Sequence, residues 1–114
     1  KIDLGANRIR VMDGNELGGL VNLEELWIGK NKIEEISGLE KLTKLRRLDV
    51  QSNRLTKIEN LTTQCDTLEE LYLAHNGIDD EGASCDTGLA MAFPNLNVLD
   101  LSRNRLKSTK PFAH

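Results

Sequence analysis

Cysteine, proline, aromatic residues and long apolar runs are all scarce in this 114-residue chain, and each scarcity excludes a class of protein. Cys65 and Cys85 are too few for a disulfide framework or a cysteine-based metal site, and we interpret them as free thiols of a reducing compartment. No stretch approaches the roughly 18 uninterrupted apolar residues that span a membrane. The net charge of −3 argues against a nucleic-acid-binding protein.

Catalytic and cofactor motifs are also missing from the sequence. His75 and His114 are the only histidines, and neither is placed with a serine or cysteine in a catalytic pattern. The sequence contains no phosphate-binding glycine loop, zinc motif or calcium loop. It therefore favours one small domain that has no enzymatic activity and binds no cofactor or metal.

What the chain contains instead is one sequence frame, repeated five times. The frame L-x-x-L-x-L-x-x-N-x-L occupies residues 23–33, 45–55, 68–78 and 96–106, and a copy without its first leucine opens the chain. Successive frame asparagines are 24, 22, 23 and 28 residues apart. Recurrence at this period is the signature of leucine-rich repeats. The asparagines are Asn7, Asn31, Asn53, Asn76 and Asn104.

The short period predicts an α/β leucine-rich-repeat solenoid. We expect a parallel concave sheet of about five short strands. Apolar residues at every third position between residues 33 and 45 predict a convex side of 3₁₀ or short helical segments. The predicted solenoid covers residues 1–106, with an insertion at 79–88, a short helix at 89–93 that ends before Pro94, and an irregular tail at 107–114. Because Lys1 falls inside a repeat, we expect the chain to be part of a longer protein.

The frame asparagines are predicted to be structural. Each follows a strand, where backbone groups face the interior of the solenoid, and an amide side chain offers both donors and an acceptor to these groups. Stacked repeats make the asparagines a ladder, and the loss of one is expected to cost roughly 1–3 kcal/mol.

The candidate binding surface is the middle residue of each strand. Parallel stacking brings these residues into one column, which alternates between acids and aromatic rings. The core is built from leucine and isoleucine, so the outward-facing Trp27 and Tyr72 are typical of interface anchors, and the acids suit a basic partner. We refer to Asp3, Trp27, Asp49, Tyr72 and Asp100 as the central column.

Local sequence carries a more specific resemblance. The segments 29–33, 51–59 and 71–78 resemble repeats of the leucine-rich-repeat regulatory subunits of protein phosphatase 1, the regulatory subunit 7 family. This resemblance implies a non-catalytic nuclear and cytoplasmic protein that holds the phosphatase catalytic subunit on its concave face, with roles in phosphatase maturation and mitotic control. It also implies other phosphatase regulators as further partners. By position it assigns contacts to Asp3, Trp27, Tyr72 and Asp100, and to Glu70 beside them.

Two alternatives remain open at this point. One alternative is an adaptor for another intracellular partner, such as a splicing or dynein-associated protein. The glycosylation sequon at Asn60 would instead fit a secreted recognition or matrix protein.

Overall fold

The computed structural model describes residues 1–83 and 93–107, which form a leucine-rich-repeat solenoid around one parallel sheet. Its five strands follow one another across the sheet in chain order. They are β1 (Ile2–Asp3), β2 (Glu25–Trp27), β3 (Arg47–Asp49), β4 (Glu70–Tyr72) and β5 (Val98–Asp100). Two four-residue helices, α1 (Gly14–Leu17) and α2 (Asp80–Ala83), lie between strands. The predicted fold class is thus confirmed.

The register of the sheet follows the sequence frame without a shift. Leu26 is aligned with Ile2 on one side and with Leu48 on the other, and Leu71 is aligned with Leu48 and Leu99. A shift by one residue would expose every leucine that now faces the interior. The hydrophobic pattern therefore fixes which side chains share a column.

The core runs along the interior of the solenoid and is deepest in the middle repeats. Leu26, Leu48 and Leu71 are fully buried, whereas Ile2 and Leu99 in the outer strands are only half-buried. Each repeat covers its neighbours, and an outer repeat has a described neighbour on one side only. The outer strands therefore gain less hydrophobic stabilisation.

The return segments are built from single turns. Bonds from Leu42 N–H to the Leu39 carbonyl and from Gln64 N–H to the Leu61 carbonyl each span three residues, as in a 3₁₀ turn. Similar bonds recur at Leu20, Leu23 and Leu45. The three-residue period thus corresponds to isolated turns and the two short helices, because no return segment among the described residues forms a continuous 3₁₀ helix.

The frame asparagines join neighbouring repeats. The Asn53 amide nitrogen donates to the Val50 and Gln51 carbonyls of its own repeat, and to the Ile28 carbonyl of the previous repeat. Its oxygen accepts the Ile33 N–H at 3.0 Å. Asn31, Asn76 and Asn104 repeat this pattern, whereas Asn7 bonds only to carbonyls of its own repeat. These contacts satisfy backbone groups that would otherwise be left without a partner.

The residue before each frame asparagine has a left-handed backbone. The φ angles at Ala6, Lys30, Ser52, His75 and Arg103 lie between 54° and 59°. The chain turns here from the strand into the loop, and the asparagine bonds hold this conformation although no glycine is present. The frame formula did not reveal this requirement, because the five residues share no side-chain chemistry.

Asn60 of the sequon is also left-handed, with φ of 58°. Its amide nitrogen donates to the Ile36 carbonyl of the previous repeat at 2.7 Å. Gly38 occupies the equivalent place one repeat earlier and is left-handed as well. Asn60 therefore has a structural role in the return segment.

Several predicted features fall outside the described residues. These are most of the insertion at 79–88, the segment 89–92 of the predicted helix, the tail at 108–114, Cys85 and His114. The insertion begins with α2, and the Gly82 carbonyl accepts the Ile58 N–H at 2.8 Å. Phe93 is buried in the core. The division into residues 1–106 and 107–114 stays a prediction.

Candidate functional site

The central column is continuous across the sheet. Asp3 is aligned with Trp27, Trp27 with Asp49, Asp49 with Tyr72, and Tyr72 with Asp100. The five side chains differ in exposure: Asp3 is exposed, Trp27, Tyr72 and Asp100 are half-buried, and Asp49 is buried. The residues that the sequence placed in one column are therefore together, but they are not equivalent.

Trp27 and Tyr72 form a stacked pair across the intervening strand. Their ring centroids are 6.3 Å apart, with 23° between the ring planes. Two strand spacings amount to about 10 Å, so the rings must lean towards each other over β3. The pair presents one apolar surface at the centre of the sheet, in place of two separate anchors.

Charged residues two positions earlier in each strand hold the rings. The Trp27 indole N–H donates to Glu25 Oε1 at 3.2 Å, and the Tyr72 hydroxyl donates to Glu70 Oε1. Arg47 lies between the two carboxylates, with Nη1 3.7 Å from Glu25 Oε1 and Nε 2.6 Å from Glu70 Oε2. The hydrogen bond to Glu70 is the main cause of the raised pKa of Tyr72. These contacts fix both rings before any partner binds.

Sequence reasoning missed Glu25 and Arg47 as functional residues. The available signal was the alternation of charge in the aligned residues Glu25, Arg47 and Glu70, because opposite charges on neighbouring strands attract. Glu70 was predicted as a direct partner contact. The structure shows its carboxylate in contact with Tyr72 and Arg47, which orients the ring, and its contact with a partner stays a prediction.

Asp49 differs from its predicted exposure. It was predicted to face outward like the other acids, but it is only 5% exposed and lies between the strands that carry the ring pair. Burial is the main cause of its raised pKa, with smaller contributions from the charges of Asp3 and Asp100. The prediction failed here because the frame does not reveal that two flanking rings lean over the middle strand.

The outer aspartates present carboxylates to the surface. Asp100 Oδ1 accepts the Ser102 N–H at 3.0 Å and the Ser102 hydroxyl at 2.7 Å, and these bonds lower its pKa. Asp3 Oδ1 accepts the Gly5 N–H at 2.9 Å. Each bond fixes one carboxylate oxygen and leaves the other for a partner. The ring pair is thus flanked by two negative charges, in β1 and β5.

A shallow depression of about 280 Å³ lies beside Trp27. Its lining combines the small residues Gly5 and Gly29 with two aspartates, Asp3 and Asp49, and one lysine, Lys30. The Lys1 ammonium nitrogen lies 4.8 Å from the centroid of the Trp27 ring. This is within the distance of a cation–π interaction. The surface therefore accommodates a cationic side chain on the Trp27 ring.

A metal cluster and a membrane-spanning helix are not seen in residues 1–83 and 93–107. No group of three or more potential metal ligands comes together there, and no helix in this part is long and apolar enough to cross a membrane. His75 is exposed three residues after β4, with Nδ1 3.5 Å from the Ser52 hydroxyl. This pair has no carboxylate partner in the described hydrogen bonds, so it lacks the third member of a catalytic triad.

Comparison with known proteins identifies the repeat and leaves the partner open. The family model described as Leucine Rich repeats (2 copies) matches residues 21–63 and 66–114. An internalin C2 from Listeria monocytogenes superimposes with a TM-score of 0.74 and 29% identity, over 98% of this chain and 46% of that structure. Proteins of this family generally act as non-catalytic binding scaffolds.

Three relatives with different names match at the sequence level. The 187-kDa microtubule-associated protein AIR9 of Arabidopsis thaliana is 32% identical over 95% of this chain. The protein phosphatase 1 regulatory inhibitor subunit PPP1R7 homolog of Arabidopsis thaliana is 44% identical over 77% of the chain. Fibromodulin of Sus scrofa is 34% identical over 93% of the chain. The chain spans 6%, 25% and 69% of these proteins respectively.

Proposed function

The chain belongs to the leucine-rich repeat family, and from this premise we propose that it binds the catalytic subunit of protein phosphatase 1. The observation that supports this proposal best is the ring pair of Trp27 and Tyr72, which is fixed in place and flanked by Asp3 and Asp100. Large rings that are already ordered contribute binding energy at low entropic cost. The relative at 44% identity, a phosphatase regulatory subunit, supplies the choice of partner.

The electrostatics of the central column define the partner surface. Hydrogen bonds from Ser102 favour the ionised form of Asp100, and Asp3 lies exposed at the other end of the column. Lys1 on the Trp27 ring shows how a basic side chain of a partner could bind. We therefore propose that an apolar residue of the partner covers the ring pair, and that lysine or arginine side chains contact the two outer acids. Asp49 and Glu70 would contribute less to direct contacts with the partner, because Asp49 is buried and the Glu70 carboxylate is paired with Arg47.

Binding to the phosphatase is tested by a double variant and a matched control. Trp27→Ala with Asp100→Ala removes one ring and one acid from the column. Val11→Ala with Glu35→Ala removes one exposed apolar residue and one exposed acid elsewhere on the chain. Titration calorimetry with the phosphatase catalytic subunit should show at least about a 100-fold loss of affinity in the first variant only. Absence of binding by the parent protein, or equal affinity in both variants, contradicts the proposal.

A second candidate function is an adaptor for another intracellular partner. It is favoured by the match to the microtubule-associated protein, which covers 95% of this chain against 77% for the phosphatase subunit. The same central column would then bind a different basic surface. Affinity capture followed by mass spectrometry, performed with the intact parent protein and the Trp27→Ala, Asp100→Ala variant, separates the two. The partner lost from the variant identifies the function.

The location of the protein in the cell is also a proposal. We propose a nuclear and cytoplasmic protein, in keeping with a phosphatase regulator. Asn60 supports this, because its amide nitrogen donates to the Ile36 carbonyl of the previous repeat, and a glycan on that nitrogen would have to fit beside this contact. Intact-mass measurement of the protein from its native source would detect a glycan at Asn60, and its presence contradicts the proposed location.

A further inference from the structure

A row of basic side chains follows the ends of the strands, beside the acidic central column. The residues directly after the frame asparagines are Arg8, Lys32, Arg54, Gly77 and Arg105. We call the four basic members the basic edge. The ion pairs seen among the described residues involve Arg46 and Arg47 as cations, and none of them includes a member of the basic edge. The chain is acidic as a whole but carries a separate positive surface.

Gly77 interrupts the basic edge and opens a depression within it. The depression holds about 490 Å³ and is lined by Arg54, Arg105, His75, Ser52 and Thr56, among others, with no carboxylate. A β-carbon on Gly77 would lie 3.4 Å from the Leu55 carbonyl oxygen, an ordinary contact, and the Gly77 backbone is not left-handed. The fold therefore does not require glycine here. The consequence of the missing side chain is the depression itself.

The groups around the depression match the chemistry of a phosphate. Arg54 and Arg105 are two repeats apart, so their backbones are separated by about 10 Å and their side chains can reach one anion from both sides. Guanidinium groups bind phosphate oxygens through paired N–H donors. The hydroxyls of Ser52 and Thr56 add neutral donors. We propose that this depression binds the phosphate of a phosphorylated serine or threonine in a protein partner.

The charge distribution favours a single phosphate over a nucleic acid. A polyanion would extend past the depression, over a chain whose net charge is −3 and whose neighbouring column contains exposed acids. Asp79 and Asp80 lie just beyond Gly77 in the chain. The Asp79 carboxylate accepts the Gly82 N–H, and the Asp80 carboxylate accepts the Lys107 N–H. Two carboxylates thus follow the depression in the chain, where a longer polyanion would meet like charges.

The proposal is tested by titrating the chain with O-phosphoserine, and with inorganic phosphate, at constant ionic strength. Nuclear magnetic resonance should show saturable shifts of the backbone amides of Ser52, Arg54 and Gly77. Arg54→Ala with Arg105→Ala should weaken the affinity at least about tenfold. Arg8→Ala with Arg10→Ala removes two exposed charges from the first repeat, two repeats away from Arg54, and should leave the affinity within about twofold.

Two further measurements complete the test. Gly77→Leu keeps every charge and fills the depression, so it should also weaken O-phosphoserine binding about tenfold or more. A single-stranded oligonucleotide should bind more weakly than a phosphoserine peptide of equal length. Equal losses in the two double variants, full binding by Gly77→Leu, or preference for the oligonucleotide would each overturn the proposal. None of these outcomes depends on whether the central column binds a phosphatase.

Discussion

The aspartates of the central column have different physical roles. Asp49 and Asp100 occupy the same position of the repeat frame, and each accepts a backbone N–H two residues later. Asp49 is buried and its pKa is raised, whereas Asp100 receives a second bond from Ser102 and its pKa is lowered. Position in the frame therefore decides where an aspartate lies, and its neighbours decide whether its charge stabilises the fold.

These opposite shifts predict opposite effects of pH and of neutral substitution. The raised pKa of Asp49 means that the folded state binds its proton more tightly than the unfolded state does. Its contribution to stability is therefore greatest below the ordinary value of 3.8 and declines as the pH rises through the folded pKa. The lowered pKa of Asp100 gives a contribution that is present above 3.8 and is lost as the pH falls through the folded pKa.

Asp49→Asn should therefore raise the free energy of unfolding at pH 7, because asparagine can still accept the Gln51 N–H without a buried charge. Asp100→Asn should lower it by roughly 0.5–1.5 kcal/mol, because one charge-assisted bond becomes a neutral bond. Urea unfolding at pH 7 and at pH 3 measures both. The difference between each variant and the parent protein should shrink at pH 3. Changes of the same sign at pH 7 would contradict the argument.

At the scale of elements, β2, β3 and β4 act as one unit. Arg47 in β3 contacts Glu25 in β2 and Glu70 in β4, and these carboxylates orient the two rings. One residue earlier, Arg46 makes the same kind of pairing with Glu24 and Glu69, but no ring is involved. The chain therefore contains two parallel sets of ion pairs, of which one is coupled to the binding surface.

This difference predicts unequal effects of two similar substitutions. Arg47→Met should release both carboxylates from the central cation and loosen the rings, whereas Arg46→Met should not. Near-ultraviolet circular dichroism and the fluorescence of Trp27, the only tryptophan, should change in the first variant only. Neither variant should lose much stability, since all four ion pairs are partly exposed to solvent. Equal spectra in both variants would show that Arg47 does not position the rings.

The sequence was sufficient to predict the strands but not the contacts between their side chains. The strand positions and their alignment were predictable, because leucines at fixed positions in every repeat allow one register. The stacking of Trp27 on Tyr72 was not, because it depends on side chains two strands apart leaning over Asp49. The left-handed backbone at these positions could not be predicted either, because Ala6, Ser52 and Arg103 share a φ angle but no side-chain chemistry. Partner contacts at the central column stay predictions.

At the scale of the whole molecule, stability is a sum over neighbouring repeats. The middle strands are covered on both sides, and their leucines are fully buried. The outer strands are covered by described repeats on one side, and Ile2 and Leu99 are only half-buried. Opening of an outer repeat therefore exposes less apolar surface than opening of a middle one.

Hydrogen exchange should follow this gradient. Amides of β2, β3 and β4 are expected to exchange at least about tenfold more slowly than those of β1 and β5, because the ends can open without the centre. Exchange measured by nuclear magnetic resonance on this 114-residue chain provides the comparison. Uniform protection across all five strands would instead show that the sheet opens only as a whole.

The ring pair limits how this array could evolve. Repeat proteins commonly lengthen or shorten through duplication or deletion of whole repeats, and the frame would accept a repeat added at any position. Trp27 and Tyr72, however, meet because a single strand separates them. A duplicated third repeat would move the rings about 5 Å further apart, and its deletion would make their strands adjacent and remove Arg47. Selection for the pair would therefore confine changes in repeat number to the two flanks of the array.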